Sequence, residues 1–161
     1  MTPFPRTSLL ISALVAPLLT IPLLGAAPAT AATGTLTDPR GDLPDIVRLS
    51  WTNAPRQVTI KMTFAGAFAQ VDSFYMRWGK ARSYQVFYAP ATKHKELRLD
   101  GRTVRCPKLK VAHHRATHVS TATVPRACIP KAPNKLRFQG VATYGLFNSD
   151  QTRTSAPVRK G

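Results

Sequence analysis

The chain has 161 residues, of which 23 are Lys or Arg and seven are Asp or Glu, for a formal net charge of +16. If the first 31 residues are a cleaved leader, as argued below, the remaining 130 residues (161 − 31) are enough for one hydrophobic core and too few for two domains. A charge of this size favours salt-sensitive association with polyanions. The excess of Arg over Lys, 14 to 9, favours bidentate contacts with phosphate or carboxylate groups. The alternative is a charge that serves solubility alone.

The N-terminal segment has the pattern of a secretory signal peptide. Residues 8–24 form an apolar run without charge that is interrupted by proline, too short for a comfortable membrane span. Small residues follow and end in Ala29-Thr30-Ala31, so cleavage is predicted after Ala31, with Ala27 as a second choice. The alternative is an uncleaved N-terminal anchor. We therefore expect residues 1–31 to be a signal peptide and residues 32–161 to form a secreted, extracellular domain without a transmembrane span.

Apolar and polar residues alternate with a period of two along most of this domain, which predicts half-buried strands. The clearest case is Gln57–Phe64, whose even-numbered residues are all apolar. Turn residues separate this run from similar ones at Ile46–Thr52, Ser73–Trp78, Tyr84–Tyr88, Glu96–Leu99, Thr103–Cys106, Lys108–Ala112, His118–Val124 and Lys135–Tyr144. The sequence therefore predicts an all-β fold, a single antiparallel β-sandwich of the jelly-roll or immunoglobulin-like type. Residues 155–161 are expected to be a flexible tail, and the domain is expected to be a monomer.

The sequence predicts one tight turn and one disulfide between the strands. Asp100-Gly101 lies between two alternating runs and is the strongest β-hairpin signal, because a tight primed turn requires positive φ. Cys106 and Cys128 are the two cysteines of the chain, and in an exported protein they are expected to form a disulfide. This bond closes a loop of 23 residues, for which loop-closure entropy gives roughly 3 kcal/mol of stabilisation.

Candidate metal ligands occur in two places. Asp38, Asp42 and Asp45 could gather around one Ca²⁺; the favoured alternative is a rigid turn whose aspartates accept hydrogen bonds from nearby amides. Three histidines also lie close together, at His113, His114 and His118. They are unsuited to sharing an ion, because strand neighbours point to opposite faces and residues i and i+4 lie roughly 13 Å apart. We expect these histidines in a solvated loop or strand end, and no other cofactor is expected.

The run Ser73–Trp78 carries aromatic or cationic residues on both of its faces, since Tyr75 and Arg77 lie opposite an apolar set. With Phe87, such a face could stack a sugar ring or hold an anionic polymer; the alternative is ordinary core packing with long side chains reaching to solvent. The candidate ligand-binding residues are five cations, which would contact phosphate or carboxylate groups, and two tyrosines, either of which would be the stacking platform. They are Tyr75, Arg77, Lys80, Arg82, Tyr84, Lys93 and Lys95.

Motifs for catalysis are missing from the sequence. There is no Gly-x-Ser-x-Gly elbow, no His-Glu-x-x-His pair and no phosphate-binding glycine loop. No catalytic residue is predicted, and the protein is expected not to be an enzyme.

Several short segments together resemble a known group of proteins. They are Asp38-x-x-Gly-Asp42-x-x-Asp45-Ile46 before two alternating strands, then Val71-Asp-Ser-Phe-Tyr75, then Val124-Pro-Arg-Ala-Cys128 before a further strand. This arrangement resembles small secreted β-sandwich proteins of high-GC Gram-positive bacteria, which are similar to family 9 carbohydrate-binding and DOMON-type domains. The resemblance covers most of residues 32–161 and implies a β-sandwich, but it carries over no ligand-defining residue.

The function favoured by these observations is a non-enzymatic extracellular module that binds an anionic cell-envelope polymer or acidic polysaccharide, without specific recognition of nucleic acid. The alternatives are a neutral-carbohydrate-binding module of the family 9 type and a secreted inhibitor or protein-interaction module. The first hypothesis depends on where the cations lie. Lys61, Arg77 and Arg98 occupy polar strand positions, and their charges add on one face only if their strands are neighbours in one sheet.

Overall fold

The computed structural model describes residues 31–39, 41, 44–66, 69–145 and 148–161. Most of the predicted signal peptide (residues 1–30) and Asp42 lie outside the described residues. The strands are β1 (Ala32–Thr37), β2 (Ile46–Asn53), β3 (Gln57–Phe64), β4 (Val71–Trp78), β5 (Arg82–Ala89), β6 (His94–Leu99), β7 (Arg102–Val104), β8 (Lys110–His114), β9 (Val119–Pro125), β10 (Lys135–Tyr144), β11 (Asn148–Gln151) and β12 (Val158–Arg159). Single 3₁₀ turns lie at Arg115–Thr117 and Arg126–Cys128. In the described ranges, no helix is long and apolar enough to cross a membrane.

The strands form two antiparallel sheets that pack face to face, which confirms the predicted all-β sandwich. One sheet has five strands in the order β1-β2-β3-β9-β8. The other has the order β11-β10-β4-β5-β6-β7, with β12 beside β10. The long strand β10 pairs with β4 from Arg137 opposite Arg77 to Thr143 opposite Val71. This pairing brings β10 beside the β4–β5 hairpin.

The core lies between the two sheets and is built from alternate residues of the long strands. In β3, the even-numbered residues are at most 3% exposed. Trp51 of β2 stacks on Phe138 of β10, with ring centroids 5.4 Å apart. The indole also lies directly over Gly34 of β1, where an added Cβ would be 2.5 Å from Trp51 Cζ2. The absence of a side chain at position 34 therefore lets the ring fit between the sheets.

The C-terminal segment is hydrogen-bonded to the sandwich, so the expectation of a flexible tail over residues 155–161 is wrong. Ser155 is buried, and its backbone N–H donates to the carbonyl of Phe138 at 2.8 Å. The side-chain amide of Asn53 in the five-stranded sheet donates to the carbonyl of Val158 at 2.9 Å. The segment is polar in sequence, and backbone pairing with β10 holds it in place where apolar burial does not.

The predicted hairpin and the predicted disulfide are both confirmed. Asp100 and Gly101 have φ values of 49° and 82°, and Leu99 pairs with Arg102 across this two-residue turn. Cys106 and Cys128 are bonded to each other, with Cα atoms 5.3 Å apart. The bond ties the segment after β7 to the 3₁₀ turn after β9.

Candidate anion-binding site

Strand pairing shows which loops share an end of the sandwich. The turn at residues 79–81 joins β4 to β5, and it lies at the same end as the Asp100-Gly101 turn because Tyr84 pairs with Leu99. The five-stranded sheet brings its 53–57 loop to this end through the bond from Asn53 to Val158. The segment after β9 also lies at this end, because Arg126 Nε donates to the carbonyl of Ala54 at 3.2 Å.

We call this region the basic end. Its exposed cations are Arg56, Lys80, Arg82, Arg102, Arg105, Lys108, Lys110, Lys131, Lys135, Arg137, Arg159 and Lys160. Among the Asp and Glu side chains that the structure describes, Asp100 lies at this end. Asp38, Asp45 and Asp150 lie at the other end, beside Ile46 and Val47 at the start of β2. The positive charge is therefore concentrated at one end of the strands.

A cavity of about 240 Å³ at the basic end is lined mainly by cations: Arg77, Lys80, Arg82 and Arg137, together with Gly79, Ala81 and Thr154. Arg77 and Arg137 are direct partners on neighbouring strands. Cβ atoms in such pairs lie about 5 Å apart, and like charges there are destabilising. No carboxylate is among the described residues that line the cavity. A bound anion would offset the repulsion between the two guanidinium groups.

Arg77 also carries a buried donor that is not used within the described part of the protein. Its Nε is buried and has no hydrogen-bond partner there. The guanidinium lies over the ring of Tyr75, with Cζ 4.6 Å from the ring centroid, so its plane is supported on one side. An unpaired buried donor costs free energy. Because this atom is closed to solvent, an oxyanion in the cavity could supply the missing acceptor once the Arg77 side chain turns to expose it.

The two tyrosines predicted as stacking platforms differ in position. Tyr75 is partly exposed on the outer face of β4, where Arg77 covers one side of its ring. Tyr84 is 1% exposed and packs beside Trp78, with ring centroids 5.5 Å apart. The prediction that Tyr84 contacts ligand is wrong, because it faces the core as its neighbours Val86 and Tyr88 do.

A second cleft of about 420 Å³ adjoins the first and shares Arg82 with it. Its lining is Arg82, Leu99, Asp100, Arg102, Val104 and Lys131. Arg82 Nε donates to Asp100 Oδ2 at 2.8 Å, and Asp100 Oδ1 accepts from the backbone N–H of Ser83 at 2.9 Å. Both side chains are substantially exposed, so this ion pair adds little stability. Its effect is to orient Arg82 between the two clefts.

Lys93 and Lys95, also predicted as ligand-binding residues, lie at the opposite end from Lys80 and Arg82. They belong to the turn and strand after β5, and an eight-residue strand spans roughly 25 Å. Lys93 instead lines a cleft of about 500 Å³ with Tyr88 and His113. The structure therefore brings Arg77, Lys80 and Arg82 together and separates them from Lys93 and Lys95.

The condition for one shared basic face, that the strands of Lys61, Arg77 and Arg98 be neighbours in one sheet, is not met. Lys61 lies on β3 in the five-stranded sheet, whereas Arg77 and Arg98 lie in the other sheet. Arg98 forms an ion pair with Glu96 and lies over the ring of Phe87, with Cζ 4.7 Å from the centroid. A single basic face is thus absent from the described residues, and the charge is concentrated at the basic end.

The opening aspartates do not form a metal cluster among the described residues. Asp38 and Asp45 lie near Asp150, and burial, followed by the Asp150 carboxylate, raises the pKa of Asp38 above its usual value. Asp150 Oδ2 accepts from the backbone N–H of Ile46 at 2.6 Å, whereas the buried Oδ1 of Asp45 has no hydrogen-bond partner among the described residues. Asp42, the third predicted ligand, lies outside the described residues.

Sequence reasoning missed a buried polar cluster between the sheets. Ser120 Oγ donates to Asp72 Oδ2 at 2.5 Å, and His113 Nδ1 lies 3.5 Å from the same oxygen. Asp72 and Ser120 are fully buried, and the side chain of His113 is only 6% exposed. The prediction that His113 lies in a solvated loop or strand end is therefore wrong. In this geometry the serine and the imidazole converge on one carboxylate oxygen. A proton relay instead requires the imidazole to stand between the serine and the carboxylate.

Comparison with known proteins adds no relative. No protein-family model, curated protein or solved structure matches the chain significantly. The resemblance to secreted sandwich proteins therefore stays a prediction, and any functional argument depends on the site itself.

Proposed function

We propose that the protein is a non-enzymatic extracellular binding module that holds an anionic envelope polymer at its basic end. The observation that carries this proposal is the cavity lined by Arg77, Lys80, Arg82 and Arg137. Cations in such a cleft act as charge-assisted donors to phosphate, sulfate or carboxylate groups.

The arrangement of the cavities favours a polymer over a small anion. Two clefts share Arg82. A third cavity of about 250 Å³ at the same end is lined partly by Arg105 and Lys108. Successive anionic groups of one chain can therefore meet successive cations, which raises affinity through effective concentration.

Neutral-sugar binding has weaker support. Such sites need an exposed aromatic platform, and among the described residues the exposed large hydrophobic side chain is Tyr144, at 46%. Tyr84 is buried, and Arg77 covers one side of Tyr75.

Salt dependence tests the proposal directly. The wild-type domain is titrated with polyphosphate, dextran sulfate and a neutral glucan. With about four contacts and a slope of about −0.7 for each, affinity for the polyanions should fall roughly 50-fold between about 50 and 200 mM salt. Polyanion binding that is insensitive to salt, or tighter binding of the neutral glucan, would refute the proposal.

A charge-matched pair of variants tests the location. Lys80→Gln with Lys131→Gln removes two exposed cations from the basic end, and Lys93→Gln with Lys95→Gln removes two from the opposite end. The first double variant should lose most of the affinity and about 1.4 of the salt slope. The second should bind nearly as the wild type does. Equal losses in both variants would show that net charge matters and the basic end does not.

A further inference from the structure

The cross-strand pair of Arg77 and Arg137, with Thr154 beside it, defines a small arginine seat within the basic end. We propose that this seat takes one tetrahedral oxyanion of the bound polymer, and that the polymer is a phosphodiester of the cell envelope. The inference rests on the proposed function and specifies its ligand class.

Two independent observations indicate an anion at this position. The first is that both side chains line one cavity from adjacent strands, although like charges at direct cross-strand positions are destabilising. The second is the buried Nε of Arg77, which has no acceptor within the described residues. One bound oxyanion would offset the repulsion, and it would supply an acceptor for Nε once the Arg77 side chain turns toward it.

The geometry of the two guanidinium groups favours phosphate over carboxylate. Each guanidinium is a planar fork that donates two parallel hydrogen bonds. A carboxylate accepts near its own plane, so one fork satisfies it and a second fork from a neighbouring strand is poorly placed. A phosphodiester has two free oxygens on a tetrahedral phosphorus, and each accepts hydrogen bonds from directions around its P–O axis, both in and out of the O–P–O plane. They can therefore accept from Arg77 and Arg137 together.

The surroundings of the seat extend this recognition along a chain. Thr154 adds a hydroxyl donor, and Lys80 and Arg82 bring two further charges from the adjoining hairpin. The stack on Tyr75 restricts Arg77 to one plane, so the fork is partly ordered before the ligand arrives. Lys80 acts as a point charge for a neighbouring group of the polymer, whereas the arginine seat selects the phosphate group.

The test uses two residues of one strand. Arg137 and Lys135 are both exposed cations of β10 at the basic end, but only Arg137 lines the cavity. Arg137→Gln and Lys135→Gln therefore remove the same charge from nearly the same place. Each variant is titrated with poly(glycerol phosphate) and with polygalacturonate of matched charge at a fixed salt concentration of about 100 mM.

The expected result is specific to one variant and one polymer. Arg137→Gln should weaken binding of poly(glycerol phosphate) at least about tenfold, because charge-assisted hydrogen bonds are lost. Lys135→Gln should weaken it by no more than about threefold, as expected for one screened charge. Arg137→Lys, which keeps the charge without the fork, should behave like Arg137→Gln. With polygalacturonate, the two Gln variants should be equal.

A stability measurement keeps the test independent of folding. Removing one of two facing cations should leave the Tm of the free Arg137→Gln variant at or above the wild-type value. Thermal unfolding followed by circular dichroism checks this. A lower Tm would contradict the repulsion on which the seat is inferred.

The remaining outcomes separate the two proposals. If both polymers bind in a salt-sensitive way but the Gln variants lose affinity equally, the arginine seat is refuted while the proposed function stands. If neither polymer binds, both proposals fail. A single-stranded DNA that binds more tightly than poly(glycerol phosphate) would overturn the envelope polymer as the ligand. It would assign the phosphodiester seat to nucleic acid.

Discussion

The close approach of Trp51 to Gly34 makes a quantitative prediction about the fold. In Gly34→Ala, the new Cβ would lie 2.5, 2.7 and 2.9 Å from three atoms of the indole ring. Ordinary carbon contacts are about 3.5–4.0 Å, so the ring would have to move by about 1 Å. It has no free path, because Phe138 of the opposite sheet stacks on it with ring centroids 5.4 Å apart.

Overpacking of this kind costs about 1–3 kcal/mol. Replacing Gly by Ala in a strand returns about 0.5–1 kcal/mol of backbone entropy. The free energy of unfolding of Gly34→Ala should therefore fall by roughly 0.5–2 kcal/mol, as measured by urea unfolding followed by far-UV circular dichroism.

Two control variants test whether the loss of stability in Gly34→Ala comes from the contact with Trp51. Gly41→Ala is the matched substitution, because an added Cβ there meets no atom of the described residues within 4 Å; it should be neutral or slightly stabilising. Trp51→Phe supplies a smaller ring, so the double variant with Gly34→Ala should be less destabilised than the sum of the single variants, with a coupling of about 1 kcal/mol. If Gly34→Ala is as stable as Gly41→Ala, the packing argument is refuted.

Two further predictions concern bonds described above. Replacing Cys106 and Cys128 together by Ser should lower the free energy of unfolding by about 3 kcal/mol, because the bond closes a loop of 23 residues; a loss below about 1 kcal/mol in urea would contradict this. Burial alone would raise the pKa of Glu96, but hydrogen bonds from Thr103 and Arg98 outweigh burial and lower the pKa below its ordinary value of 4.5. The stability that Glu96 contributes is then present above the unfolded pKa and lost as the pH falls through the lower folded pKa. The stability difference between the wild type and Glu96→Gln should shrink in urea titrations between about pH 6 and pH 3, and a constant difference would count against this assignment.

The long strands were predictable because a sandwich buries every second residue. Gln57–Phe64 and Lys135–Tyr144 have the predicted bounds, since alternation along each is strong. β1 was missed because Gly34 interrupts its apolar face, and the fit of Gly34 under Trp51 appears only in three dimensions. β11 and β12 were missed because they are polar and are held by backbone pairing with β10.

The candidate site was predictable only where its residues are close in sequence. Arg77, Lys80 and Arg82 lie in one hairpin, so a sequence pattern can group them. Arg137 is sixty positions beyond Arg77 and joins them through the register of β10 with β4, which no local pattern specifies. The only sequence signal for Arg137 was its polar position between the apolar Leu136 and Phe138.

The inward position of His113 illustrates the same limit. A strand predicted to end at Ala112 leaves His113 in a loop, whereas β8 continues to His114. Two more residues of alternation place His113 in phase with Val111, toward Asp72 and Ser120. A small error in a strand boundary thus reverses the inferred environment of a titratable side chain.

The uneven placement of charge gives the molecule an electric dipole along its strands. Near an anionic wall this dipole would turn the domain upright, with the strand axes normal to the surface. Its footprint would then be the cross-section of two sheets about 10 Å apart rather than a broad sheet face, so copies could pack densely along one polymer layer. Each bound copy would present the opposite end outward, where Asp38 lies together with the exposed side chains of Lys93 and Lys95. A coated surface would therefore display a layer of mixed charge in place of the polymer's own negative charge.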